Sequence, residues 1–130
     1  MTVTSLPLTS RRLPAWGVLL AAPLAALVVW VLAGPVLDVT LVAGEPPITI
    51  GPASIVPVAV VATLAAWGVR ALFFRRHRTG WFVTCGAILL VSLLGPLGAA
   101  TPAAILWLAL MHVTVGAVAA VGLAPSRIEA

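Results

Sequence analysis

Four long apolar runs divide this chain, and all seven of its arginines stand just outside the ends of those runs or within one turn of them. About 20 uncharged residues cover a ~30 Å hydrocarbon core as an α-helix rising ~1.5 Å per residue. When the runs are threaded back and forth through a bilayer, Arg11, Arg12, Arg70, Arg75, Arg76, Arg78 and Arg127 all fall on one side. Asp38 and Glu45 fall on the other. Charge and hydropathy therefore agree on four crossings with both termini in the cytoplasm, as in a multi-pass protein of the bacterial cytoplasmic (inner) membrane. With 62% hydrophobic and 8% charged residues, the chain has too little polar surface to cover a water-soluble globule of its size.

The reading is all-α, a four-transmembrane-helix bundle forming a single membrane domain with spans at 14–33, 52–74, 81–98 and 102–123. Pro14 suits a first helical turn, whereas Pro23 should kink the first helix near the bilayer midplane. Trp16 and Trp30 sit near its two ends, where indole rings favour the headgroup boundary. Ser10-Arg11-Arg12 ahead of an apolar run also resembles a twin-arginine export signal. The run exceeds the about 7–15 residues of a signal-peptide core and no A-x-A site follows Trp30, so a retained first helix is expected.

Residues 34–51 form the exterior loop. Asp38, Gly44, Glu45 and Pro46-Pro47 break any helix there, and β-branched runs at Val39–Val42 and Ile48–Ile50 predict a short hairpin or an extended flap. Asp38 and Glu45 read as solvated loop charges. Residues 75–80 form a cytoplasmic turn, and Arg70, one turn inside the second span, is close enough to the boundary to snorkel past Phe73 and Phe74. The third span is interrupted near its far end by Gly95-Pro96.

The net charge of +4 does not point to nucleic acid, because the basic residues stand at membrane boundaries rather than along a hydrated face. Arg11, Arg12, Arg75, Arg76 and Arg78 are expected to meet the anionic headgroups of the lipid bilayer. Another membrane protein or self-association is a further expected partner. Cys85, the only cysteine, excludes an intrachain disulfide and reads as a small packing residue.

Lipid tails are as apolar as leucine, so such helices hold together by close packing of small residues and by interhelical hydrogen bonds. Ala22 with Ala26, Ala62 with Ala66 and Gly116 with Ala120 offer the spacing for it. Counting inward from the boundaries puts Pro23, Thr63, Ile88–Leu90 and Met111-His112 at the midplane, with Ser92 about one turn outward. His112 is the only ionisable side chain in the middle of any span. It shares a stripe with Gly116 and Ala120, and so should point into the bundle.

Thr63, Ser92 and His112 are thus the candidate intramembrane polar cluster. The functional readings of His112 are a proton relay, a metal or haem ligand, or a ligand-binding group, and each lacks an obvious partner in the sequence. The structural reading is a neutral imidazole bonded to Thr63, Ser92, Thr84 or a carbonyl freed by a proline. No nucleophile stands beside a base, so no enzyme and no cofactor is expected.

The runs Asp-Val-Thr-Leu-Val (38–42), Pro-Ile-Thr-Ile-Gly (47–51), Ser-Leu-Leu-Gly-Pro-Leu (92–97) and Leu-Ala-Leu-Met-His-Val-Thr-Val-Gly-Ala-Val (108–118) resemble an uncharacterised family of small four-helix bacterial membrane proteins. The resemblance implies a four-span inner-membrane protein, supplies no reaction, and places His112 and Gly95-Pro96 in recurrent motifs. Two functions stay open. The first is a non-enzymatic accessory or assembly component, or a binder of small apolar molecules between its helices. The alternative is a minimal oligomeric transporter or channel lined by Thr63, Ser92 and His112.

Overall fold

The structure, a computed structural model, describes residues 14–125; Arg11, Arg12, Arg127 and Glu129 lie outside the described residues. Its elements are α1 (Ala15–Val31), a π turn (Leu32–Val36), β1 (Val42–Ala43), β2 (Ile48–Thr49), α2 (Pro52–Phe73), α3 (Arg78–Ser92), a 3-10 turn (Pro96–Gly98) and α4 (Pro102–Gly122). Among the described residues, four helical stretches are long and apolar enough to cross a membrane: Ala15–Val36, Pro52–Phe73, Arg78–Gly98 and Pro102–Gly122.

Two boundaries differ from the sequence expectation. The first helix runs past residue 33 to Val36, because Pro35 has no N–H to continue the four-residue ladder and the chain widens into a π turn. Leu37 N–H donates to the Leu32 carbonyl five residues back at 3.2 Å, and Asp38 then leaves the helix with a left-handed φ of 56°. At the other end of α2 the turn is shorter than 75–80, and α3 begins at Arg78 rather than Trp81. A basic first turn opposes the helix dipole. Arg78 compensates by donating through Nη1 to the Pro125 carbonyl at 3.0 Å and by lying 5.2 Å above the Phe82 ring.

Residues 42–49 form the expected hairpin, antiparallel with Val42 opposite Thr49 and Ala43 opposite Ile48. Its outer edge pairs with the α3–α4 connection: Ala43 bridges Ala99, Ala100 N–H donates to the Val42 carbonyl at 2.9 Å, and Gly44 N–H to the Gly98 carbonyl at 3.4 Å. Trp30 Nε1–H donates to the Ile50 carbonyl at 3.2 Å, tying the returning strand to α1. Leu41 packs beneath with Ala26, Val29, Ala33, Ile55, Ala104, Leu108 and Met111. The loop is therefore a cap seated on apolar packing. Thr101 closes α4 beneath it, its hydroxyl accepting from Ala104 N–H at 3.1 Å as an N-cap.

α1 is the central helix, packed along both α2 and α4, while α3 leans chiefly on α4. The stripe Val18, Ala22, Ala26, Val29, Ala33 is enclosed, and α1 runs through the enclosed Pro23 unbroken. The core divides in two. One half lies under the hairpin, and the other, around Val18, Trp81, Leu123 and Ala124, lies at the arginine-rich end.

Candidate functional site

Along α4 two faces are distinguishable. Ala104, Leu108 and Met111 are enclosed, and Gly122 continues that face against Val18 of α1. The neighbouring stripe, His112, Gly116 and Ala120, faces α3. A Cβ at Gly116 would stand 3.0 Å from Leu89 Cδ1, and the Ala120 carbonyl accepts from Trp81 Nε1–H at 2.9 Å. His112 therefore sits, half-buried, in the seam between α3 and α4.

That seam encloses little of α3. Trp81 is the one residue of α3 that is fully enclosed, and Val83, Ile88, Leu90 and Val91 are exposed. Trp81 anchors the arginine-rich end of α3, where Phe74 packs tilted against it at 6.3 Å. In the sequence it stands at the first position of the 81–98 span. Nothing in a lone tryptophan at a span boundary separates an interhelical anchor from a headgroup anchor.

Each polar side chain singled out closes on a carbonyl of its own helix. His112 Nδ1 lies 2.7 Å from the Leu108 carbonyl, Thr63 Oγ1 donates to the Ala59 carbonyl at 2.7 Å, and Ser92 Oγ donates to the Leu89 carbonyl at 2.7 Å. Such back-bonding satisfies a hydroxyl in hydrocarbon without help from a neighbouring helix. The Leu108 carbonyl is not one freed by a proline; it is simply the carbonyl one turn back on the same face.

Among the described residues no hydrogen bond joins His112, Thr63 and Ser92 to one another. Ser92 lies one turn beyond Leu89 and His112 one turn before Gly116, so the antiparallel register puts both on the α3–α4 seam. Thr63 belongs to a different place, fully enclosed on the Ile55, Ala59, Thr63 stripe of α2.

The imidazole bond selects a tautomer of the neutral ring. A carbonyl only accepts, so Nδ1 must carry the proton, and neutral His112 presents Nε2 as a bare lone pair. Backbone anchoring of one ring nitrogen is the arrangement that orients the other toward a ligand. Among the described residues no group of three or more His, Cys, Asp or Glu is placed to hold a metal ion. Arg75 and Arg76 are exposed in the α2–α3 turn, whereas Arg78 is held by Pro125 and Phe82.

Four apolar helices, a capped end and an arginine-rich end define an integral multi-pass membrane protein. Residues 7–128 match the family of unknown function DUF6069, and the chain belongs to that family, as the resemblance of its motifs implied. No curated protein and no solved structure matches it.

Proposed function

We propose that this protein is a non-enzymatic component of the bacterial cytoplasmic membrane, with both termini in the cytoplasm, that binds small apolar molecules carrying one hydrogen-bond donor in the α3–α4 seam at His112. The observation that carries the reading is the Nδ1–Leu108 contact, which leaves Nε2 of the neutral ring as an acceptor in an otherwise apolar seam. An acceptor in low dielectric rewards a donor strongly and has nothing to offer a hydrocarbon.

Two related aromatic probes test it. Purified protein in detergent should bind 1-naphthol about fivefold more tightly than naphthalene, the worth of one added hydrogen bond of about 1 kcal/mol. The variant His112→Phe, which keeps an aromatic ring and removes the acceptor, should bind both equally. Equal binding by the parent protein would sink the proposal.

The orientation rests on the placement of the arginines, with Arg11, Arg12, Arg75 and Arg76 facing anionic headgroups of the inner leaflet. Reporter fusions at Glu45 and Arg76 should report opposite compartments, the second cytoplasmic. One observation favours a second reading, a minimal oligomeric transporter: the same bare nitrogen, near mid-span with Ser92 on the facing wall, suits a proton relay. That reading requires pH-dependent flux in proteoliposomes that His112→Ala abolishes.

A further inference from the structure

We infer that Arg70 forms a defined phosphate-binding position at the arginine-rich end of α2, and that its occupant is the headgroup of an anionic phospholipid. The inference rests on the membrane reading above and is independent of the His112 seam. Ile55, Ala59 and Thr63 are the enclosed stripe of α2, and Arg70 stands seven residues beyond Thr63, at 700° of helical rotation and so within about 20° of the same face. Half-buried Ala66, between them, packs into the cluster around Val18 and Trp81. Arg70 thus lies on the bundle side of α2, unlike exposed Arg75 and Arg76.

Its Nε is shielded from solvent and makes no hydrogen bond, the one side-chain atom among the described residues in that position. Simple snorkelling would carry the guanidinium into water and leave no such orphan. Arg78, at the same end, shows the alternative solution, since it is held by a carbonyl and an aromatic ring of the protein. Arg70 has no such acceptor among the described residues, whose carboxylates, Asp38 and Glu45, belong to the hairpin segment at the opposite end. An acceptor must come from elsewhere. A guanidinium matches phosphate through its planar fork, and the exposed Arg75 and Arg76, five and six residues further on, mark this end of α2 as the headgroup boundary. Turning the outer torsions of Arg70 toward a phosphate would hand over the fork and relieve the orphaned N–H together.

The test uses the full chain in neutral, lipid-free detergent, titrated with phosphatidylglycerol or phosphatidylcholine and followed by native mass spectrometry and thermal unfolding. Phosphatidylglycerol should bind in preference and raise the melting temperature. Arg70→Gln should weaken that binding by more than about tenfold, as expected for a hydrogen bond to a charged group. Arg75→Gln should lose about fivefold at most, the effect of one basic residue at an anionic surface. Arg70→Lys keeps the charge without the fork and should not restore binding.

In the absence of lipid, Arg70→Gln should melt no lower than the parent, which separates loss of the site from loss of the fold. Equal losses for Arg70→Gln and Arg75→Gln, full rescue by lysine, or equal binding of the zwitterionic lipid would overturn the inference. So would an Arg70-dependent gain in stability from millimolar inorganic phosphate alone, which would make the free anion the occupant. Tighter phosphatidylglycerol binding in Glu129→Gln would assign the position to the chain's own tail and overturn it equally.

Discussion

Trp81→Ala should lower the stability of the protein by about 3–5 kcal/mol, the range for emptying a large enclosed aromatic site. The side chain is 1% exposed and packs among Val18, Leu123 and Ala124. Its removal opens a cavity between α3 and α4, strips Phe74 of one of its two ring partners, and leaves the Ala120 carbonyl without the indole N–H. Lipid cannot fill a void sealed on all sides, so the whole packing loss should be visible. Trp81→Phe separates the components: most of the volume stays, the hydrogen bond goes, and about 1 kcal/mol should be lost. Chemical unfolding in mixed micelles measures both. If alanine costs no more than phenylalanine does, Trp81 is a boundary residue and α3 is held by something else.

Gly122→Ala should cost about 1–3 kcal/mol, the range for overfilling a packed site. A Cβ there would stand 2.7 Å from Val18 Cγ2 and 3.1 Å from Cγ1, well inside contact distance. Val18 is fully enclosed and β-branched, so it cannot rotate the methyls away. Helix α4 would have to move off α1, the larger of its interfaces. The double variant Gly122→Ala with Val18→Ala should recover part of the loss, a coupling that only residues in contact display. Gly116→Ala makes a useful contrast, because its nearest neighbour is the far end of the more flexible Leu89. At Gly68 nothing lies within 4 Å, and alanine there should be neutral or slightly favourable.

The spans were legible because hydropathy over about 20 residues does not depend on which neighbour a helix chooses. The hairpin was legible for a similar reason: β-branched runs around Gly44 and Pro46-Pro47 are local information. What lay beyond was who packs against whom. Each helix is apolar on every side, so no polar face marks which way is inward, and small residues are too common in this chain to single out a contact. Ala22 and Ala26 are indeed enclosed, but Ala62 faces outward, and Gly122, the tightest approach of all, belongs to none of the spaced pairs. The site was half legible. Depth alone picked out His112, Ser92 and Thr63, yet depth says nothing about azimuth, and azimuth puts Thr63 on the enclosed stripe of α2, apart from the seam that the other two share. The self-bonding of all three side chains follows from reach along a helix, which the sequence contains but does not advertise.

The third helix is fastened at both tips, by Trp81 and Arg78 at one and by the pairing of the following turn with the hairpin strand at the other, while its flank between them touches little. A rod clamped this way yields by bowing, not by swinging out. A guest of the proposed kind, arriving sideways from the lipid, would thus work against the bending stiffness of 15 residues, with both fastenings intact.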